Sequence, residues 1–192
     1  MRFKKLLWMF DEKKVKAKKA GRGGIIIIQN KKEAKVLYNF VAKQADSTII
    51  ELGRKYGGST AVICASLQEH EDAGHLYSLD LTEVHKKQAH QFMARMKLSN
   101  YVTFIKANTQ EVPKGYDFSN IGLVFFDASH DYKGLMKELT SWYPLIKKGG
   151  YLLIHDYGME KHTGIKMAVD KFSAAKRLTK LDQIGRTILF IK

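Results

Sequence analysis

Three polar side chains close to the ends of two apolar segments are of residue types suited to proton transfer or metal binding. Asp127 and His130 lie three residues apart in the stretch LVFFDASHDY, and Asp156 ends the stretch GYLLIHD. A histidine can accept a proton near neutral pH, and carboxylates are preferred ligands of hard divalent cations. Because the spacing puts Asp127 and His130 on one turn, we expect the three side chains to share a site.

A glycine-containing turn earlier in the chain has the composition of a nucleoside-binding site. The stretch ELGRKYGGST, residues 51–60, follows an apolar segment, and its glycines allow a ligand to approach the backbone closely. Ser59 and Thr60 are expected to cap the next helix, whose amide groups would face the same crevice. Asp80 follows Gly58 by 22 residues, close to the spacing at which an acidic residue holds the ribose hydroxyls of a nucleotide.

The charge beside this turn indicates which nucleoside would bind. The turn lacks the G-x-G-x-x-G spacing of dinucleotide-binding folds, and no predicted strand is followed by the G-x-x-x-x-G-K-[ST] pattern of a phosphate-binding loop. Glu51 would repel a phosphate group but would attract an amine or another cation. S-adenosylmethionine carries an amine and a sulfonium and has no phosphate, so these residues favour it over NAD or ATP.

The elements that must position these residues alternate between strands and helices. Apolar runs predict seven strands, at residues 48–53, 74–81, 101–106, 121–128, 151–155, 178–184 and 187–191. Helical spacing of apolar residues predicts helices at residues 30–44, 59–68, 82–98, 132–146 and 164–176. Strands without alternating polarity that are separated by helices imply a parallel sheet covered on both faces, whereas the last two strands are close enough only for an antiparallel hairpin. The predicted fold is therefore α/β, a doubly wound, mostly parallel seven-stranded sheet that binds ligands at the carboxyl ends of its strands.

Length and charge divide the chain into a tail and one domain. The 192 residues, 45% of them hydrophobic, suffice for a single packed domain, and the single cysteine, Cys64, is typical of a reducing, cytoplasmic setting. Residues 1–24 carry nine of the 33 Lys and Arg residues and only two acidic ones. The net charge of this segment is therefore half of the chain's net charge of +14. We therefore expect a basic N-terminal tail at residues 1–24 and a domain at residues 25–192. No apolar run approaches the roughly 20 residues that a membrane span requires.

The basic tail has two interpretations. Its basic and aromatic residues would suit an anionic membrane surface or a nucleic acid. Alternatively, it is a solubilising arm whose apolar residues, Leu6 to Phe10, pack against the domain. We favour the second interpretation, because a basic run alone is a frequent false signal of binding.

Taken together, the motifs resemble those of the class I S-adenosylmethionine-dependent methyltransferases. ELGRKYGGST resembles the first motif of the small O-methyltransferases, and GHLYSLD resembles the second. LVFFDASHDY, followed by a helix and KKGGYLLIHDY, resembles most closely the subgroup of macrocin-type sugar O-methyltransferases and cephalosporin-hydroxylase-like proteins. The resemblance implies a Rossmann-like fold and transfer of a methyl group to a hydroxyl of a small molecule or sugar.

The resemblance also implies roles for individual residues. The first motif would line the methionine part of the cofactor, Asp80 would accept the ribose hydroxyls, and Asp127 would lie beside the transferred methyl group. The full set of implied cofactor contacts is Glu51, Gly53, Gly57, Ser59, Asp80, Asn108, Thr109 and Asp127. His130 would serve as the general base, so the expected catalytic residues are His130 and Asp127.

One residue departs from the metal-binding pattern of that subgroup. Asp127 and Asp156 match the aspartates that hold a divalent metal such as Mg²⁺ or Mn²⁺, but His155 stands where related enzymes present another carboxylate or carboxamide. Mg²⁺ rarely accepts imidazole, whereas Mn²⁺, iron and zinc accept it more readily. Three alternatives follow: His155 is a ligand of a softer metal, it points away and two carboxylates suffice, or no metal binds and His130 acts alone.

Two other functions are compatible with the sequence. The chain could be a nucleic-acid-binding protein or RNA methyltransferase that uses the basic tail, or a non-catalytic member that only binds the cofactor. No DPPY- or NPPY-type motif of amine methylation follows the fourth predicted strand, which counts against the first of these. The expected partner is a small-molecule or sugar acceptor, and the resemblance is also compatible with a homodimer.

Overall fold

The structure, a computed structural model, describes residues 30–192. Within this range the helices are α1 (Lys31–Ala42), α2 (Gly58–Leu67), α3 (Lys86–Met96), α4 (Tyr132–Trp142) and α5 (Thr163–Lys176). The strands are β1 (Thr48–Leu52), β2 (Leu76–Asp80), β3 (Val102–Lys106), β4 (Ile121–Phe126), β5 (Ile146–Ile154), β6 (Thr179–Ile184) and β7 (Thr187–Ile191). The predicted tail at residues 1–24 and the predicted start of the domain at residue 25 lie outside the described residues.

All seven strands form one sheet in the order β3-β2-β1-β4-β5-β7-β6. Neighbours among β1 to β5 pair in parallel, and β7 pairs antiparallel with both β5 and β6. This confirms the predicted doubly wound sheet with an antiparallel C-terminal pair. Because β1 lies between β2 and β4, the order reverses there, and the turns that follow these strands open onto one crevice.

An apolar layer covers each face of the sheet. Helices α1, α2 and α3 pack on one face, and α4 and α5 pack on the other. The fully or almost fully buried members include Leu37, Ile63 and Phe92 on the first face and Leu139, Trp142 and Phe172 on the second. In the described part of the chain, no helix combines the length and the apolar character that a membrane span needs.

Strand β5 begins earlier than its sequence indicates. The KKGG segment at residues 147–150 predicts the end of a helix, but it lies within β5, which already pairs with β4 at Ile146. The amide of Gly149 donates to the backbone oxygen of Lys192 at 2.9 Å, and the amide of Lys192 donates to Gly150 at 3.0 Å. This pairing with the distant C-terminus holds the segment within β5, although Gly149 has a φ of +78°, so the usual helix-ending role of the glycines is overridden.

Helix α3 begins later than predicted, at Lys86 instead of Thr82. One carboxylate oxygen of Asp80 accepts the backbone amide of Thr82 at 2.9 Å and lies 3.3 Å from its hydroxyl. Asp80 therefore ties the chain after β2 into a turn, and the helix starts only after that turn. As a result, residues 81–85 border the crevice as a loop.

Candidate active site

A pocket of about 710 Å³ opens at the carboxyl ends of the parallel strands, where this fold binds its ligands. The segments that follow β1 to β5 all contribute to its wall. Eight residues predicted for the site line it: Gly53, Ser59, Asp80, Asn108, Thr109, Asp127, His130 and Asp156. The other three, Glu51, Gly57 and His155, are buried and lie outside the lining.

Gly53 allows the turn after β1 to touch the end of β4. Its φ is +90°, and a Cβ atom at this position would lie 2.4 Å from the backbone oxygen of Asp127. Gly57, with φ of +83°, precedes the first turn of α2, and the next two residues, Gly58 and Ser59, line the pocket. The positive end of the α2 dipole is therefore at the pocket wall.

Glu51 is a fully buried carboxylate next to this turn. Its oxygens accept hydrogen bonds from the hydroxyls of Ser59 at 2.5 Å, Thr60 at 2.6 Å and Ser78 at 2.6 Å. Ser59 and Thr60 were predicted to cap α2; instead the N-cap is Gly57, without a side-chain hydrogen bond, because both hydroxyls are used by Glu51. Burial raises the pKa of Glu51 to about 7, although the three hydroxyl groups oppose the shift.

Asp80 holds the turn after β1 from the end of β2. One of its carboxylate oxygens accepts the backbone amides of Lys55 at 3.0 Å and Arg54 at 3.2 Å. Together with the bond from Thr82, these contacts fix the carboxylate at the pocket wall. A rigid carboxylate in this position can accept the hydroxyl groups of a ribose, which is the role expected from the spacing after Gly58.

His155 forms the centre of a buried charge cluster beneath the pocket. Its Nδ1 atom lies 3.1 Å from Asp127 and 3.3 Å from Asp156, and its Nε2 atom lies 3.7 Å from the buried carboxylate of Glu33 on α1. Burial alone would lower the pKa of His155, but its contacts with these carboxylates outweigh burial and raise the pKa to about 10. His155 is therefore an imidazolium at neutral pH, held among three acidic groups.

The protonation state of His155 determines whether the predicted metal ligands could bind a metal cation. Potential ligand atoms of Asp127, His155 and Asp156 lie within 4.8 Å of one another. However, the nitrogen of His155 that faces the two aspartates carries a proton, so it has no lone pair to donate to a metal. In this arrangement the ring pairs with the two carboxylates, so a metal could bind His155 only after the ring had lost this proton. Metal binding therefore stays a prediction from the resemblance.

The variant His155→Gln tests the charge cluster. Because the pKa of His155 lies above its ordinary value of 6.5, the ring stabilises the fold fully below about pH 6.5 and loses this effect as the pH rises through about 10. We expect the variant to lose about 3 kcal/mol of unfolding free energy at pH 6.5, and clearly less at pH 10.5. Urea unfolding at both pH values measures the difference.

The matched control is His70→Gln, since His70 is exposed at the end of α2. It should change the unfolding free energy by less than about 0.5 kcal/mol at either pH. A His155→Gln variant as stable as the wild type at pH 6.5, or equally destabilised at both pH values, would contradict the assignment of a protonated ring.

His130 lies at the rim of the pocket and is the histidine among the three side chains, Asp127, His130 and Asp156, that were predicted to share a site. Its Nδ1 atom is 3.6 Å from the carboxylate of Asp156, and its ring stacks on that of His162 with centroids 4.8 Å apart. The side chain is 47% exposed, so an acceptor molecule in the pocket can reach it. An imidazole beside a carboxylate can take up a proton, because the carboxylate stabilises the imidazolium that forms.

Sequence reasoning missed several residues that line the pocket, among them three with titratable side chains. Lys161 and His162 belong to a short 3₁₀ helix, Glu160–His162, that follows β5. His85 also lines the pocket, and the centroid of its ring lies 3.9 Å from that of Tyr56. Their only sequence signal is position, since each lies in a segment that follows the carboxyl end of a parallel strand.

Comparisons with known proteins agree with this geometry. A family model described as a methyltransferase domain matches residues 50–157, the segment that contains the glycine turn, Asp80, Asp127, His130 and Asp156. No curated protein matches the chain. The family match therefore covers the parallel part of the sheet together with the turns that form the pocket.

Several solved structures share the fold. An O-methyltransferase from Bacillus cereus in complex with S-adenosylhomocysteine is 17% identical, with 94% of this chain and 90% of that chain covered and a TM-score of 0.71. The O-methyltransferase NovP is 16% identical, with 85% and 80% covered and a TM-score of 0.72. A protein provisionally described as an rRNA methylase from Clostridium thermocellum is 17% identical, with 86% and 97% covered and a TM-score of 0.67. At these identities the likeness establishes the fold.

Proposed function

Because this chain belongs to the methyltransferase-domain family, we propose that it transfers the methyl group of S-adenosylmethionine to a hydroxyl group of a small molecule or sugar. The observation that carries the proposal is the pocket itself. It brings a carboxylate suited to ribose, Asp80, and an exposed imidazole paired with a carboxylate, His130 with Asp156, into one crevice. The first group suits the cofactor and the second suits an acceptor hydroxyl.

The proposed cofactor position follows from the pocket wall. The ribose hydroxyls bind Asp80, the methionine part lies against Gly53 and Ser59, and the adenine lies by Asn108 and Thr109. Glu51 lies beneath this wall; with a pKa of about 7 it is partly ionised at neutral pH, and a cationic cofactor would favour its ionised form without direct contact. The lack of a phosphate-binding loop supports a phosphate-free nucleoside over NAD or ATP.

The proposed reaction is an in-line displacement at the methyl carbon. The acceptor oxygen forms a bond to that carbon while the carbon–sulfur bond breaks, and the electron pair of the broken bond stays on sulfur, giving S-adenosylhomocysteine. His130 takes the hydroxyl proton, and Asp156 stabilises the imidazolium that results. Asp127, held by His155, orients the reacting groups beside the methyl group. A divalent ion, if bound, would lower the pKa of the acceptor hydroxyl; none of these roles depends on it.

RNA methylation is the second candidate. Two observations favour it: half of the net charge lies in residues 1–24, and a protein of similar fold is provisionally described as an rRNA methylase. Such a function predicts RNA binding that weakens steeply with salt and is lost when residues 1–24 are deleted. Small-molecule methylation predicts no effect of that deletion on turnover.

A transfer assay tests the proposed function. The wild-type chain is incubated with S-adenosylmethionine and a panel of sugars, phenols, hydroxy acids and structured RNA. We expect S-adenosylhomocysteine to form only with hydroxyl-bearing small molecules, together with a product heavier by one methylene group. Methylation of RNA alone would establish the second candidate, and cofactor binding without turnover on any acceptor would mark a non-catalytic member.

A further inference from the structure

A buried acidic residue outside the pocket is unused by the reaction described above. Glu138 lies on α4 and has no exposed surface. Its Oε1 atom accepts hydrogen bonds from the hydroxyls of Thr109 at 2.6 Å and Ser129 at 2.7 Å. Its Oε2 atom is also buried and has no hydrogen-bond partner among the described residues.

The two hydroxyl groups come from different segments of the pocket wall. Thr109 lies in the loop after β3 and Ser129 in the loop after β4, and both line the pocket, while Glu138 does not. Through one oxygen atom, Glu138 therefore ties together the loops that follow β3 and β4. A displacement of either loop would break one of these bonds.

Two neighbouring side chains of α4 support the same loop. Trp142 donates from its indole nitrogen to the backbone oxygen of Thr109 at 2.8 Å, and the Ser141 hydroxyl donates to the backbone oxygen of Gln110 at 2.8 Å. Helix α4 thus fixes the backbone of the loop after β3 independently of Glu138. What Glu138 adds is the orientation of the Thr109 hydroxyl and the link to Ser129.

Stability alone does not explain a carboxylate at this position. Burial raises the pKa of Glu138, and the bonds from Thr109 and Ser129 only oppose that shift. Leaving a carboxylate oxygen buried without a donor costs free energy, and an apolar residue of similar size would avoid this cost. A group that is costly for folding and bonded to two pocket residues is typical of a functional role.

We infer that Glu138 is a positioning residue for the cofactor: it holds the loops after β3 and β4 at the separation that binds the adenine end of S-adenosylmethionine. The inference rests on the proposed function, because it assigns Thr109 and Ser129 to the cofactor side of the pocket. Glu138 makes no hydrogen bond to His130 itself, although it binds the neighbouring Ser129, so we expect its loss to act mainly on cofactor affinity and less on the chemical step.

The test compares Glu138→Gln with Glu138→Leu by calorimetric titration with S-adenosylhomocysteine. Glutamine keeps one carbonyl oxygen that can accept both hydroxyls, whereas leucine fills the space without an acceptor. We expect the dissociation constant to rise about tenfold to thirtyfold for Glu138→Leu and less than about threefold for Glu138→Gln. The midpoint of thermal unfolding should not fall for Glu138→Leu, and the kcat at saturating cofactor should stay within about twofold of wild type.

A double variant separates positioning from a general structural role. In Thr109→Val with Ser129→Ala, Glu138 has no hydroxyl left to hold, so adding Glu138→Leu should raise the dissociation constant by less than about twofold more. Equal binding by wild type and Glu138→Leu would overturn the inference, as would a full additional loss in the double-variant background. Absence of binding by the wild type would overturn the proposed function and this inference together, so the two failures are distinguishable.

Discussion

Replacing Asp80 by alanine is expected to raise the dissociation constant for S-adenosylhomocysteine by at least about 100-fold. A hydrogen bond to a charged group contributes about 1.5–3 kcal/mol, and the carboxylate would accept two ribose hydroxyls. The same carboxylate accepts the backbone amides of Arg54 and Lys55, so the alanine variant also releases the turn that we propose to line the methionine part of the cofactor site. Both effects weaken binding, which makes this the largest expected change in affinity.

Two variants control the Asp80 experiment. Asp80→Asn keeps the size and one acceptor oxygen, so its affinity should lie between those of wild type and Asp80→Ala. Asp72→Ala removes an exposed carboxylate far from the pocket wall and should leave the dissociation constant unchanged. An Asp80→Ala variant that binds within about threefold of wild type would remove Asp80 from the cofactor site.

Replacing His130 by alanine is expected to lower kcat by about 10²–10⁴-fold while leaving the affinity for S-adenosylhomocysteine within about threefold. The variant removes the imidazole that takes the hydroxyl proton, and the acceptor must then react without a general base. Cofactor binding should persist, because His130 is not among the residues proposed to hold the cofactor. Steady-state kinetics at saturating cofactor and a parallel titration measure the two quantities separately.

His162→Ala provides the matched comparison for His130. Its ring stacks on that of His130 at the same rim, so the variant changes the same surface. We expect a much smaller loss of kcat, because the contact between His130 and Asp156 remains. Unchanged turnover by His130→Ala, or a fall in kcat matched by an equal loss of cofactor affinity, would contradict the role of His130 as the base.

Local patterns were sufficient to predict most of the fold. The apolar runs at β1 and β4 are bounded by turn residues and lie within two residues of their predicted ends. The predicted start of the first helix at residue 30 was also correct, since Asn30 is the N-cap of α1 and its side chain accepts the amides of Lys32 and Glu33. The start of β5 could not be predicted, because the KKGG segment is held in the sheet by pairing with Lys192, which is distant in sequence.

In the site, too, features that depend on local sequence could be predicted, and features that depend on contacts between distant residues could not. That Asp80, Asp127, His130 and Asp156 lie around one pocket follows from parallel strands ending at one edge, so the sequence was enough to predict it. The burial of Glu51 under three hydroxyls depends on Ser78 of the neighbouring strand. The charge of His155 depends on Glu33 of α1 as well as on the two aspartates. Such contacts come from packing between elements, which residue spacing does not encode.

The proposed function requires that the cleft bind a sulfur-containing nucleoside. Calorimetric titration of the wild-type chain with S-adenosylhomocysteine tests this requirement, with a titration with NAD under the same conditions for comparison. Our account predicts saturable uptake of one S-adenosylhomocysteine per chain with a dissociation constant below about 1 mM, and no measurable heat with NAD. If S-adenosylhomocysteine fails to bind while the pyrophosphate-containing nucleotide saturates the protein, the account is wrong.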